Sequence, residues 1–364
     1  MILYVWRWDA DVGSYVRTRA IDTASSVIWI TRFNDAGEFE VYVRADRQLL
    51  LDIYTFYDEC ILTRNDSDTA MIIDRIHMVS NAETGDYMTI TGRSAEAILA
   101  RRVVPVLFTF SGTAENCIRK LITDNIIDSP IDPTLRNISG FTLGESQGYT
   151  ETIDAQYVGD DLLTIVQGIC KDNRWGFRVR FNGSFVFELY KGTDRSVDQS
   201  VNPRVVFSPQ MQNVSQQAWD YDKTDFKMMA YVGGEGEGIY RKTAVDGFYS
   251  YDLKGLSRRE MYVDASSLSS KTEEGEEPIT DEEYYKILRE AGKAALMETL
   301  WKFQTEAEAI QSVGCTYGVD FFLGDTVTNS DSYGFTQSCV VVEVAEVEDE
   351  SGFRVIPKLS SGGR

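Results

Sequence analysis

Residues 26–43, "SVIWITRFNDAGEFEVYV", decide how this chain is read. Two runs of β-branched and aromatic side chains flank Asn34-Asp35-Ala36-Gly37. Such side chains suit a pleated, half-buried surface, and Asn, Asp and Gly tolerate the backbone angles of turns. The stretch predicts a β-hairpin. Outward from it, "TAMIIDRIHMV" (69–79) and "DYMTITG" (86–92) repeat the pattern around a second turn signal at Asn81–Gly85. Strands this short and closely spaced point to a barrel or sandwich over residues 1–92.

The pattern then changes. "SAEAILARRVV" (94–104) and "TAENCIRKLITDNII" (113–127) have helical spacing, the second with Thr113 as N-cap. "GDDLLTIVQGICKDNRWG" (159–176) predicts a third helix, capped by Asp160 or Asp161 and ended by Gly176. "FRVRFNGSFVFELY" (177–190) alternates on both sides of Asn182-Gly183, which predicts a two-residue hairpin loop. Phe177, Val179 and Phe181 share one face; the return strand offers either Phe185 and Phe187 or Val186 to it. Strands return over 205–263. An acidic stretch, "SSLSSKTEEGEEPITDEE", follows, and Thr280-Asp281-Glu282-Glu283 matches a capping box opening a helix over 281–304. From about residue 305 the chain is strand-rich again, with "FFLGDTV", "QSCVVVEVAEV" and "GFRVIPKL". No tandem repeat is visible. The fold class is α+β and strand-rich.

The chain has 364 residues, more than one core of roughly 250–300 residues accommodates, so two or three domains are expected. Apolar residues at 43% supply packed cores, and aromatics at 12% suit a strand-rich protein. Acids outnumber bases, 57 to 36, for a net charge of −21. That charge repels polyphosphate, so specific nucleic-acid binding is not expected, while an acidic channel past which DNA slides is compatible with it. Cys60, Cys117, Cys170, Cys315 and Cys339 are odd in number and far apart, without a C-x-x-C pair. They read as reduced, buried residues of a protein made in a cytoplasm. The start, "MILYVWRWDAD", has no signal-peptide features, and no apolar run is long enough for a membrane-spanning segment.

The search for chemistry centres on Tyr231–Arg241, "YVGGEGEGIYR". A phosphate loop needs G-x-x-x-x-G-K-[ST], and a dinucleotide fingerprint needs glycines at i, i+2 and i+5. Neither is present, and Glu235 and Glu237 would oppose a pyrophosphate. Lying between strand-like runs, the stretch reads as a mobile, glycine-rich β-connection. His77 is the only histidine and reads as a strand-surface or interface residue, so a two-histidine metal site is impossible. Asp160-Asp161 reads as a helix N-terminus and Glu273–Glu277 as a solvated loop. "RNDSDTA" (64–70) is a partial calcium-loop pattern only. Arg101-Arg102 reads as a helix end, Arg258-Arg259 as cations paired with nearby acids, and Trp175, Trp219 and Trp301 as core or interface anchors. No catalytic, cofactor-binding or metal-binding residue is assigned. Two alternatives stay open: a carboxylate-dependent cell-wall hydrolase and a carbohydrate-binding module.

Five stretches, taken in order, resemble the tail-tip or baseplate-hub (tail-associated) proteins of long-tailed phages and phage-tail-like bacteriocins. They are "SVIWITRFNDAGEFEVYV", "MIIDRI…YMTITGRSAEAILARRVV", "GDDLLTIVQGICKDNRWGFRV…ELYKGTDRS", "AYVGGEGEGIYR…GLSRREMYVDAS" and "LGDTVT". Gly92-Arg93, Arg101 and Arg102, the Gly233–Gly238 stretch with Arg241, and Arg258 with Glu260 match recurring positions of that family, none with a catalytic role. The resemblance implies a homotrimeric structural ring in the virion tail tip, with host attachment as its setting. It implies two tail-tube-like β-barrel domains per protomer, so that three subunits present sixfold geometry to a tube. Mapped onto this chain, 1–92 is the first barrel, 93–204 an α+β middle domain, 205–263 with 305–364 the second barrel, and 264–304 an acidic loop plus helical insertion. The implied partners are the tail tube or distal tail protein ring, the tape measure protein, and a separate spike or receptor-binding protein. Many relatives continue into lytic or receptor-binding modules; this chain stops at "IPKLSSGGR", so the spike is expected on another chain.

Overall fold

The computed structural model describes residues 1–54, 59–83, 85–247, 254–270, 280–299, 302–311 and 314–361. The chain divides into two compact units, Met1–Ala218 with Thr305–Ser360, and Trp219–Gln304.

The first unit opens with β1 (Leu3–Asp9), β2 (Ser14–Ile21), β3 (Ala24–Arg32), β4 (Glu38–Arg44), α1 (Arg47–Ile53), β5 (Cys60–Arg64), β6 (Ala70–Asn81) and β7 (Gly85–Ser94). It continues through β8 (Phe108–Thr113), α2 (Ala114–Ile122), α3 (Pro133–Arg136), β9 (Phe141–Leu143), β10 (Thr152–Tyr157), α4 (Leu162–Asn173), β11 (Gly176–Phe181), β12 (Phe185–Tyr190) and β13 (Val206–Phe207). The chain passes to the second unit along β14 (Val214–Asp222). That unit holds β15 (Met229–Gly233), β16 (Thr243–Gly247), β17 (Glu260–Asp264) and α5 (Asp281–Glu298). The chain returns along β18 (Lys302–Ala309) and ends with β19 (Thr326–Ser330), β20 (Thr336–Asp349) and β21 (Gly352–Ser361).

The opening hairpin forms as its alternation dictates: β3 and β4 pair antiparallel, and Phe39, Val41 and Val43 point inward. The other edge of β3 carries β20, with Trp29 opposite Glu346. This pairing joins strands from the two ends of the chain into one sheet, in the order β14-β18-β21-β20-β3-β4-β7-β6-β5-β1-β2. The path has two ends, β2 and β14, so no barrel closes among the described residues.

The middle of the first unit packs α2 and α4 against β11 and β12 around Ile118, Leu121, Trp175, Phe177, Phe185 and Phe187. Four local expectations are corrected here. Residues 95–101 form a 3₁₀ helix rather than an α-helix, with Ala95 to Leu99 buried. The helix from 113 is capped by Thr113 as expected, but changes at Thr123–Ile127 to a π turn. There the Asn125 amide and the Thr123 hydroxyl donate to the carbonyls of Leu121 and Arg119 at 2.9 Å each. Helix α4 is capped by Asp161 and ends at Arg174, whose φ of 57° is left-handed. Gly176 instead begins β11, and a Cβ there would lie 2.4 Å from the Phe33 ring, so its bareness serves packing. The hairpin after it has a three-residue loop, since Phe181 pairs with Phe185 and Gly183 takes φ 98°. The extra residue turns Phe185, Phe187 and Leu189 onto the same buried face as Phe177, Val179 and Phe181.

In the second unit α5 lies on a three-stranded sheet of order β16-β15-β17. Met229–Asp264, grouped by sequence with the second barrel, thus forms its own sheet, whose core is Ala230, Val232, Ala244, Tyr284, Leu288 and Leu296. Gly292 permits close approach: a Cβ there would sit 2.7 Å from Val232 Cγ2. The capping box at Thr280 and Glu283 is present. The helix ends at Glu298 with Thr299 as its cap, its hydroxyl donating to Leu296 O at 2.9 Å, and Lys302–Ala309 is strand. Among the described residues no helix is long and apolar enough to cross a membrane.

Candidate functional site

The first unit contains a cleft of about 460 Å³ lined by polar groups, among them Arg32, Glu96, Arg178, Lys191, Arg195 and Asp325. Each cation in it is already engaged. Arg195 Nε donates to Asp325 Oδ2 at 2.7 Å, and Arg178 Nε to Glu188 Oε2 at 3.0 Å. Arg32 Nε donates to Glu343 at 2.6 Å. Lys191 donates to Glu151 at 2.7 Å and stands 4.2 Å over the Tyr149 ring. The carboxylates on the cleft are engaged as well. Glu96, fully buried, accepts the Val179 N–H at 2.7 Å, and burial pushes its carboxyl above the ordinary range. Asp68 lies 3.5 Å from Arg180. A hydrolase of the two-carboxylate type needs one free acid and one free base aimed at a common point. Glu96 and Asp325 instead hold backbone N–H groups of neighbouring segments, and Asp68 stands exposed beside Arg180.

The positions singled out by resemblance gather into three separate ion-pair sets. In the first unit, Asp74 lies 2.9 Å from Arg93 and 3.7 Å from Arg101, and Arg101 also pairs with Glu59. Gly92 sits at the irregularity where β6 shifts register against β7. A Cβ on Gly92 would lie 1.9 Å from the Ile72 carbonyl oxygen, so only glycine fits. Arg102 donates to Arg136 O at 3.0 Å. In the second unit, Arg241 donates to Gly234 O at 3.0 Å and to Asp264 at 2.6 Å. Arg258 pairs with Glu260 and donates to the Tyr231 hydroxyl at 2.8 Å.

The glycine-rich stretch links β15 to β16, as its flanks imply, and it is tied down. The Tyr284 hydroxyl accepts the Glu235 N–H at 2.8 Å and donates to Leu268 O at 2.7 Å. The Glu235 carboxylate accepts the Ser270 N–H at 3.0 Å, and Lys242 lies 3.1 Å from Glu235 and 2.7 Å from Asp281. Its exposed tip carries Ile239 and Tyr240. Among the described residues no cluster of His, Cys, Asp and Glu has the geometry to hold a metal ion. His77 is exposed on β6, Trp175 is core, Trp219 is half-exposed, and Trp301 and Glu273–Glu277 lie outside the described residues. Two features of the surface had not been singled out. One is the β19–β20 turn, where Asp331 accepts the N–H groups of Tyr333 and Phe335 at 2.8 and 2.9 Å and both aromatics face solvent. The other is a basic flank of α5. Both were legible only as spacing, Y-G-F and K-x-x-R-x-x-x-K.

The open sheet, the packed middle and the separate helix-on-sheet unit have counterparts among solved structures. The chain matches the tail protein from Neisseria meningitidis MC58 with TM-score 0.59 at 13% identity, covering 99% of this chain and 97% of that one. It matches the 43 kDa tail protein of prophage MuSo2 from Shewanella oneidensis with TM-score 0.59 at 8% identity, covering 99% and 98%. A third match is a chain of the half-lidded Francisella PdpA–VgrG complex, with TM-score 0.54 at 8% identity, covering 99% of this chain and 57% of that one. Among curated proteins none matches by sequence. The chain belongs to the Siphovirus ReqiPepy6 Gp37-like protein family, whose model matches residues 3–359. Its fold is the one seen in these solved tail proteins.

Proposed function

We propose that this chain is the hub subunit of the tail tip or baseplate, closing as a homotrimer around the central channel. The ring joins the tail tube or distal tail ring to the tip device, with the tape measure protein and a separate spike or receptor-binding chain as its other partners. Its work is mechanical rather than catalytic. The observation that carries the reading is fold likeness along the whole chain, both to tail proteins and to a chain of a complex named for VgrG. The sheet supports it: strands of residues 3–94 and strands of 206–218 with 305–361 are two sets joined at β3–β20. We assign these two sets as the barrel-related modules that imitate sixfold geometry. The Met229–Asp264 sheet with α5 is then an insertion. The acidic balance suits a channel that DNA traverses without sticking. Native mass spectrometry tests the proposal. The expected species is three times the 41.1 kDa protomer, annular in negative stain, alone or with the distal tail ring. A strict monomer that also fails to bind isolated tail tubes would overturn it.

A further inference from the structure

On α5, Lys286, Arg289 and Lys293 stand at i, i+3 and i+7 and share one flank of the helix. All three are exposed, and among the described residues none has an ion-pair partner. With Asp246 and Glu290 the three cations line a groove of about 420 Å³, and the buried side chain of Leu296 forms part of its wall. Like charges three and four positions apart on a helix destabilise one another, and an anion placed among them relieves that repulsion.

We infer that this groove binds a short acidic segment of a partner protein. Two observations select that occupant over a polyphosphate. Asp246 and Glu290 leave the groove with only one net positive charge, and they offer acceptors to the backbone N–H groups that a peptide carries and a phosphate chain lacks. The net charge of −21 repels a long polyanion along its whole length. A pair of carboxylates seated in the groove feels the three cations together with Asp246 and Glu290, and little of the distant acids, because fields from charges farther than about 8 Å are screened at physiological ionic strength. The inference stands on the second unit alone and does not depend on a trimeric ring.

The test is fluorescence anisotropy with the full chain and a labelled heptapeptide of Glu and Gly. Its Gln counterpart, a 12-nucleotide single strand and vesicles containing phosphatidylglycerol serve as competitors. The Glu peptide is expected to bind at least ~10-fold more tightly than the Gln peptide and to weaken with added salt. The K286Q/R289Q/K293Q variant is expected to lose at least ~10-fold, and Glu290→Gln alone to gain several-fold, which keeps the test valid even if the triple variant folds poorly. Tighter binding of the oligonucleotide or vesicle, no binding of the Glu peptide at millimolar concentration, or an affinity unmoved by Glu290→Gln would each overturn the proposal.

Discussion

Arg195 Nε donates to Asp325 Oδ2 at 2.7 Å, joining residues 130 positions apart in the chain. Asp325 is buried and also accepts the N–H groups of Thr193 at 2.7 Å and Phe322 at 3.0 Å. One carboxylate thus ties the segment after β12 to the loop before β19.

Removing that carboxylate leaves a partly buried guanidinium and two N–H groups without this acceptor. Asp325→Ala is expected to lower stability by ~3–5 kcal/mol, with Asp325→Asn losing less. Urea unfolding measures it, and a loss under ~1 kcal/mol would show that the tie is not structural.

Glu96 is a second buried carboxyl, and burial raises its folded-state pKa. Its proton is held more tightly in the folded chain, so its contribution is fullest below the unfolded value, about 4.3, and is lost as pH rises through the folded one. Glu96→Gln keeps an acceptor for the Val179 N–H without the charge. The variant's urea midpoint is expected to gain on that of the parent between pH 4.5 and pH 7.5. A gap that stays constant over that range would mean that Glu96 does not titrate there.

Two glycines are expected to respond oppositely to the same change. Gly92→Ala drives a Cβ into the Ile72 carbonyl, which is backbone and cannot swing aside, at a cost of ~1–3 kcal/mol. Gly168, exposed inside α4 with open space where a Cβ would go, is expected to gain ~0.5–1 kcal/mol as Ala. Thermal unfolding of the two variants side by side reads the contrast.

Tyr284→Phe removes the hydroxyl that bridges the glycine-rich connection to Leu268. The expected loss is ~1–3 kcal/mol in the second unit, with faster hydrogen exchange at the Glu235 amide. Unchanged exchange at that amide would show that the loop is held by other contacts.

The five cysteines are free and buried, and burial pushes the Cys60 thiol up to about 12 and the Cys117 thiol to about 11. Thiolate is the reactive form, so Ellman's reagent at pH 8 is expected to label the native chain only slowly and all five thiols in guanidinium. Fast labelling of any one would place that sulfur near solvent.

The chain's local periods were legible. Alternation in residues 26–43, the Thr113 and Thr280 caps, a cap at Asp160 or Asp161, and the glycine-rich β-connection follow from side-chain size, branching and hydrogen-bonding reach within a few positions. The errors also have local causes. Gly176 looks like a helix stop until Phe33 is brought against it, and Asn182-Gly183 looks like a two-residue turn until the inward Phe181 and Phe185 demand a third residue. The basic flank of α5 was visible as spacing, but its lack of an ion pair among the described residues was not, because that depends on which acids lie within reach in space.

Sequence alone therefore determined the strand-rich α+β class, the caps and most turns, since those energies are settled between near neighbours. Tertiary structure decided that β3 pairs with β20, that the sheet path among the described residues stays open, that Asp74 links Arg93 and Arg101, and that Asp325 meets Arg195. Each of these depends on residues distant along the chain meeting in space, and a one-dimensional pattern does not encode which distant partner satisfies an edge or a charge.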